Sequence, residues 1–125
     1  MSHTKELETL VQNYIEAWST TDAARRTAVI ADIYAEDAAF YALSPAGPVE
    51  CHGHEEITSN IAQINERDVQ GKGLTISLGG FTAHHDIVRV TWSMAANGNT
   101  VMQGMDVLLL NEAGKIAKDY IFIPA

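Results

Sequence analysis

The stretch VRVTWSMAANGNTVMQGMDVLLLNEAGKIAKDYIFI, residues 88–123, decides the fold, because apolar and polar side chains alternate along it as they do in β-strands. Asn97–Gly98 is a dipeptide typical of tight hairpins, and residues 111–114 mark a second turn. The stretch therefore predicts three consecutive antiparallel strands. The alternating residues 74–81 predict a fourth strand before them, with a bulge or bend at Gly79–Gly80.

Upstream of this meander, the apolar residues recur at helical spacing instead. The predicted elements are helices at 4–18, 22–34 and 53–64 and short strands at 38–43 and 49–52, with a loop at 45–48 between the two strands. Asp22 is predicted to cap the second helix, because its side-chain oxygen can accept a hydrogen bond from a free backbone N–H. Three helices followed by a meander indicate an α+β domain. A bent sheet that helices close leaves a concave interior, where small molecules bind.

Length and composition limit the kinds of partner. With 125 residues, the chain is expected to form a single domain over residues 1–125. Its 16 acidic and 8 basic residues give a formal net charge of -8, which repels phosphate backbones and anionic lipids. Neither nucleic acid nor membrane is therefore an expected partner. Cys51 is the only cysteine, and the sequence shows no secretory leader, so a cytoplasmic location is expected.

The last hairpin brings two acidic residues together. If its loop is centred between Glu112 and Ala113, Asp106 lies directly opposite Asp119, and opposed residues share one face of the sheet with Cβ atoms about 5 Å apart. Their neighbours on that face are small or apolar, namely Gly104, Leu108, Leu110, Ala117, Ile121 and Ile123. Two carboxyl groups in such surroundings cannot both ionise cheaply, so the pKa of at least one should rise. A carboxyl with a raised pKa can donate a proton near neutral pH, and its partner can accept one.

Other placements of the two aspartates are also compatible with the residues. Both side chains can lie on the solvent face or at the rim of a dimer, or they can pair with Arg89 or Lys118. A one-residue error in the turn would also put Asp106 and Asp119 on opposite faces of the sheet.

Five short segments, in their order and spacing, resemble the nuclear transport factor 2-like superfamily, close to the SnoaL-like polyketide cyclases and ketosteroid isomerases. The segments are LVQNYIEAW at 10–18, YAEDA at 34–38, GHEEI at 53–57, GMDV at 104–107 and NEAGKI at 111–116. The resemblance covers nearly the whole chain. It implies a cone-shaped domain with three N-terminal helices packed on a strongly curved, mostly antiparallel sheet that encloses a pocket. It also implies a homodimer and a small apolar organic ligand.

The resemblance also implies roles for individual residues. In ketosteroid isomerases, a tyrosine of the first helix and a protonated aspartate of the penultimate strand donate hydrogen bonds to the substrate oxygen, and these positions match Tyr14 and Asp106. The general base of that family matches Ala42, whose methyl group cannot move a proton, so Asp119 is the expected replacement base. The expected function is proton transfer, as in an isomerase or an aldol-type cyclase acting on an apolar carbonyl compound.

Two other functions stay open. Because Ala42 removes the family base, the chain can be a non-catalytic ligand-binding or dimerisation module. Lys118-Asp119-Tyr120 is similar to the Arg-Asp-Tyr of limonene-epoxide hydrolases, which share this fold. Their second motif appears as Arg89-Val90-Thr91, which lacks the acid, so Asp106 would have to replace it.

The expected pocket wall is apolar and aromatic. It comprises Trp18, Phe40, Ala42, Val90, Trp92, Met94, Leu108, Ile121 and Ile123, although the two tryptophans are equally interpretable as core packing. No cofactor and no metal are expected, because His52 and His54 lack further ligands at the spacing of a metal site.

Overall fold

The computed structural model describes residues 2–44 and 46–123, so Pro45 of the predicted loop lies outside the described residues. The elements are α1 (Ser2–Ser19), α2 (Ala23–Ile33), β1 (Tyr34–Ser44), β2 (Gly47–His52), α3 (Gly53–Ile64), a π-helical segment (Asn65–Gln70), β3 (Thr75–His84), β4 (Ile87–Ala96), β5 (Asn99–Leu110) and β6 (Ile116–Phe122). Three helices packed on a curved, mostly antiparallel sheet confirm the predicted α+β class.

The helices follow from their apolar stripes and caps. Val11, Tyr14 and Ala17 recur on one side of α1 and are fully buried. Asp22 caps α2 as predicted, because its side chain accepts a hydrogen bond from the backbone N–H of Arg25 at 3.1 Å. Tyr34, directly after α2, is already extended, so β1 begins four residues before the predicted strand at 38–43.

The sheet contains six strands in the order β2-β1-β6-β5-β4-β3, and only β1 and β6 run parallel among the described residues. Asn97 and Gly98 both have positive φ, 52° and 80°, which the tight β4–β5 hairpin requires. The register shifts between Leu78 and Gly80, as the glycine pair predicts. A Cβ on Gly79 would lie 2.9 Å from the Oγ1 of Thr91. The close approach of β3 and β4 at this bulge therefore needs a glycine.

The last hairpin has a different register from the predicted one. Asp106 lies opposite Ile121, and Asp119 lies opposite Leu108, so the predicted direct pairing of the two aspartates is wrong. The turn is longer than two residues. The Oδ1 of Asn111 stabilises it by accepting hydrogen bonds from the backbone N–H groups of Ala113 and Lys115, both at 3.0 Å. The net shift is two positions, so both aspartates still lie on the same face of the sheet.

That face is the inner one, against which the helices pack. The core between sheet and helices contains Phe40 of β1, Val88 and Val90 of β4 and Ile116 of β6, all fully buried. Asp106 and Asp119 are buried among them, with 2% and 0% of their surface exposed. The possibility that the two aspartates lie on the solvent face is therefore excluded.

The outer face of the sheet carries the alternate residues of the same strands. Leu43, Val101 and Phe122 are large apolar side chains on this face, and about half of each is exposed, at 56%, 56% and 45%. The homodimer implied by the family resemblance stays a prediction. Among the residues that the structure describes, no helix is long and apolar enough to cross a membrane.

Candidate active site

A cavity of about 260 Å³ lies between α1 and the inner face of the sheet. Its wall is mostly apolar and comes from α1, the end of α3, the π-helical segment and five strands. The predicted site residues that line it are Tyr14, Trp18, Ala42, Trp92, Met94, Asp106, Ile121 and Ile123. This volume is slightly below the usual range for pockets that bind drug-sized ligands, so the cavity suits a small organic molecule.

The other predicted site residues lie behind this wall. Phe40 is fully buried and stacks on Trp18 with ring centroids 5.9 Å apart. Val90 and Leu108 are also fully buried in the core. Asp119 has no exposed surface and lies behind Tyr14, so it reaches the cavity only through that side chain.

A chain of short hydrogen bonds joins the two aspartates. The hydroxyl of Tyr14 donates to Oδ2 of Asp106 at 2.6 Å, and the indole N–H of Trp92 donates to Oδ1 of Asp106 at 3.0 Å. The hydroxyl of Tyr34 donates to Oδ2 of Asp119 at 2.6 Å. The Tyr14 oxygen is also 3.2 Å from Oδ1 of Asp119, so Tyr14 lies between the two carboxyl groups.

One carboxyl proton, shared by Asp106 and Asp119, gives every donor and acceptor of this network a partner. An indole N–H can only donate, so Oδ1 of Asp106 must be an acceptor. Tyr14 has a single hydroxyl proton, and its shorter contact is the one to Asp106. The contact between Tyr14 and Asp119 is then a hydrogen bond if Asp119 is protonated at Oδ1 and donates to the tyrosine oxygen. In this arrangement Asp119 carries the proton and Asp106 is a carboxylate. The reverse arrangement, in which Asp106 donates to Tyr14 and Tyr14 donates to Asp119, satisfies the same contacts, so the electrostatics of the site decide between the two.

The electrostatics of the site favour the arrangement in which Asp119 carries the proton. Burial raises the pKa of Asp106 from 3.8 to about 6, against the opposing effect of its bonds from Tyr14 and Trp92. Burial, and then the charge of Asp106, raise the pKa of Asp119 well above its ordinary value. Burial and the two neighbouring carboxyl groups also raise the pKa values of Tyr14 and Tyr34, so both phenols stay neutral. The charge of the partner carboxyl adds to the effect of burial only at Asp119, so Asp119 is the carboxyl that holds the shared proton more strongly.

Gly104 allows Trp92 to reach Asp106. The two residues Gly104 and Trp92 lie opposite each other on β5 and β4, and a Cβ on Gly104 would lie 2.1 Å from the indole ring. With glycine there, the ring can lie flat across β5 and point its N–H at the carboxyl two residues further on.

Two members of the network are not predicted from the sequence. The sequence pattern indicates Trp92 only as an apolar wall and Tyr34 only as part of a family motif. A lone glycine inside β5 is an available signal for Trp92, because such a residue often marks a close approach. No local signal of this kind indicates that Tyr34 joins the network, because the strand beside it, β6, is distant in sequence and pairs Ile116 with Tyr34.

We expect Gly104→Ala to lower the free energy of unfolding by about 1–3 kcal/mol, because the added methyl group displaces the ring of Trp92. Urea denaturation followed by tryptophan fluorescence measures both the loss and the altered surroundings of the indole. Gly80→Ala is the matched control, because a Cβ there meets Thr91 only at 4.0 Å. Equal losses in the two variants would contradict the packing role of Gly104.

Ala42 and the cations near the sheet bear on the other predicted functions. Ala42 lines the cavity, so the position that matches the family base holds a methyl group. Arg89 and Lys118 are exposed, and none of the ion pairs among the described residues involves Asp106 or Asp119. The predicted alternative of pairing with Arg89 or Lys118 is therefore wrong, and the Asp–Arg–Asp set of an epoxide hydrolase is not assembled here.

The histidines near α3 make local contacts. His52 lies 2.6 Å from a carboxylate oxygen of Glu50, and Nε2 of His54 lies 2.8 Å from the carbonyl oxygen of Tyr34. Within residues 2–44 and 46–123, no group of three or more His, Cys, Asp or Glu side chains is arranged to hold a metal ion.

Residues 11–118 match the sequence model of the SnoaL-like domain. The fold is similar to a candidate isomerase of the SnoaL-like family from Agrobacterium tumefaciens C58, with a TM-score of 0.83 and 24% identity over 97% of this chain and 99% of that one. It is also similar to a SnoaL-like protein of unknown function from Burkholderia thailandensis, with a TM-score of 0.72 and 15% identity over 97% of each chain. A candidate ketosteroid isomerase from Kribbella flavida gives a TM-score of 0.69 and 13% identity over 97% of this chain and 79% of that one. No curated protein matches the sequence.

Proposed function

Because the chain belongs to the SnoaL-like family, we propose that it is a proton-transfer enzyme, an isomerase or aldol-type cyclase that acts on a small apolar carbonyl compound. The observation that carries this proposal is Asp106, a carboxyl group on an apolar cavity wall with its pKa raised to about 6. A base whose pKa lies near neutral pH can take a proton from carbon and return it. The description of the A. tumefaciens protein as a candidate isomerase agrees with this reaction type.

In the proposed reaction, the Asp106 carboxylate takes a proton from the carbon next to the substrate carbonyl. The C–H bond breaks, and its electron pair moves into the carbonyl system, so negative charge develops on the oxygen. Tyr14 also lines the cavity, and its hydroxyl can turn from Asp106 to donate to that oxygen. Asp106 then returns the proton to a different carbon, which completes an isomerisation without any net gain or loss of protons.

This proposal reverses the roles expected from the sequence for the two aspartates, in which Asp106 is protonated and Asp119 acts as the base. The pKa of Asp119, which burial and the charge of Asp106 both raise, and the position of Asp119 behind Tyr14 support the opposite assignment. Asp119 then acts as a positioning residue, because its proton, donated to the Tyr14 oxygen, keeps the tyrosine hydroxyl directed towards the cavity side.

The proposed base predicts a pH-dependent exchange reaction. Small apolar ketones incubated with the protein in heavy water should exchange the hydrogens next to the carbonyl for deuterium, as measured by NMR. Asp106 must be ionised to act, so the rate should be low in acid, rise with a midpoint near pH 6 and level off above it. A rate that does not depend on pH across this range would contradict the role of Asp106.

A non-catalytic binding module is the second candidate, and the observation that favours it is Ala42 on the cavity wall. The same ketone panel separates the two functions. Compounds that raise the melting temperature of the protein but exchange no deuterium would support a binding module and would count against the enzyme.

A further inference from the structure

The cavity has a second polar region, formed by Arg67 and Asp68 of the π-helical segment Asn65–Gln70. These two residues follow Ile64 by three and four positions, so all three present their side chains on one side of the helix. The Arg67 side chain is 66% exposed, whereas Asp106 is 2% exposed. The cavity therefore runs from a buried carboxyl group to a guanidinium group at its solvent-facing rim.

Two cations, Arg67 and Lys72, meet at the carboxylate of Asp68 beside the rim. Arg67 donates from Nε and Nη2 to the two carboxylate oxygens of Asp68 at 2.9 and 3.0 Å. The ammonium group of Lys72 lies 3.4 Å from the same carboxylate. The hydrogen bond from Arg67 lowers the pKa of Asp68, so this carboxyl group stays ionised and balances one of the two cations. Counting Glu66 of the same segment, two cations and two carboxylates lie here, so this region is close to neutral in a chain with a net charge of -8.

Arg67 has hydrogen-bonding capacity left over. A guanidinium group has five N–H donors in a fixed plane, and the contacts to Asp68 occupy two of them. No other side-chain hydrogen bond of Arg67 occurs among the described residues, so its remaining donors are available at the rim. A planar cation with free parallel donors is well suited to a carboxylate.

The backbone that carries Arg67 is fixed in place. Asn65 is fully buried, donates to the carbonyl oxygen of Trp18 at 2.7 Å and accepts from Gln70 at 2.8 Å, which ties the segment to α1. A Cβ on Gly71 would lie 2.6 Å from the carbonyl oxygen of Arg67, so the next turn packs tightly against it. A π-helical turn held in this way is a common feature of functional sites, and it places Arg67 before any ligand arrives.

We propose that the ligand is amphipathic, with an apolar body that fills the cavity and a carboxylate that binds Arg67. This carboxylate is separate from the carbonyl group that reacts at Asp106. The reacting end rests on the proposed function, whereas the binding of the carboxylate does not. Arg67 is then the residue that selects acids over neutral molecules of the same shape.

Binding of matched acids and amides tests this proposal without any turnover. The probes are the phenylalkanoates from phenylpropanoate to phenylhexanoate, each compared with its primary amide by calorimetry at about pH 7.5, where the acids are ionised. The length that spans from the apolar wall to Arg67 should bind about tenfold more tightly as the carboxylate than as the amide. In Arg67→Met, which keeps an unbranched apolar stem, the carboxylate should lose this advantage.

Two control variants keep the test specific. Arg67→Met also leaves the charge of Asp68 without its main partner, so the double variant Arg67→Met/Asp68→Asn removes both charges and should likewise show no preference. Arg25→Met removes an exposed arginine that pairs with Glu16 on α1, and it should retain the preference. Equal binding of acids and amides by the unmodified protein, or a preference that survives in either Arg67 variant, would overturn the proposal. Neither result depends on whether the protein catalyses a reaction.

Discussion

Asp106→Asn should slow deuterium exchange of the ketone substrate by about 100-fold to 10,000-fold, whereas Asp119→Asn should slow it by about tenfold or less. An asparagine at position 106 cannot take up a proton from carbon, so the proposed base is lost. An asparagine at position 119 has the same hydrogen-bonding pattern as a protonated aspartate. Its carbonyl oxygen can accept from Tyr34, and its amide N–H can donate to Tyr14.

Both variants should fold, which makes the comparison meaningful. In Asp106→Asn, the new side chain can accept from Trp92 through its oxygen and donate to the Tyr14 oxygen through its amide, so the buried polar atoms keep partners. Circular dichroism and the melting temperature of each variant check that the fold is retained. If Asp119→Asn causes the larger loss of exchange, Asp119 is the base and the assignment of the shared proton to Asp119 is incorrect.

The free energy of unfolding should fall by about 3 kcal/mol as the pH rises from about 4 to above 6, from Asp106 alone. The pKa of Asp106 is about 6 in the folded protein and 3.8 in an ordinary setting. Between these values, only the folded state binds the proton. The stabilisation is therefore complete below about pH 4 and is lost as the pH rises through 6. Asp119 acts in the same direction, because burial and the charge of Asp106 raise its pKa as well.

Other carboxyl groups oppose this trend, so the variants are needed to isolate it. The pKa of Asp68 is lowered by Arg67, and its contribution to stability is lost as the pH falls rather than as it rises. Urea denaturation from about pH 4 to about pH 8 should therefore be compared between the unmodified protein and Asp106→Asn. The variant should gain stability relative to the unmodified protein as the pH rises. A difference that stays constant across this range would show that the Asp106 pKa is not raised.

The sheet could be predicted because its signals are local. Alternation of apolar residues, the Asn97–Gly98 turn and the glycine pair at 79–80 each depend on neighbours in sequence, and all three appear in the structure. The shared face of Asp106 and Asp119 is also retained, although their predicted register is wrong by two positions, because an even shift preserves the face.

Local signals could not predict which inward-facing residues touch the cavity and which lie behind its wall. Val90, Leu108 and the cavity residue Trp92 share one face of neighbouring strands, but only packing against the helices decides which of them touch the cavity. The contact of Tyr34 with Asp119 joins segments that are distant in sequence, whereas Trp92 reaches Asp106 across the β4–β5 hairpin, where Gly104 is the only local signal. Arg67 is missed for a different reason, since the segment Asn65–Gln70 is polar and has no apolar period to mark its buried side.

The central claim is that Asp119 holds the shared proton and Asp106 is the carboxyl group that titrates. Carbon-13 NMR of protein labelled at the aspartate side-chain carboxyl tests it most directly, with Asp106→Asn and Asp119→Asn used to assign the two resonances. We predict that the Asp106 resonance titrates with a midpoint near pH 6, while the Asp119 resonance keeps the chemical shift of a protonated carboxyl through that transition. An ionised Asp119 beside a protonated Asp106 at neutral pH would contradict the account.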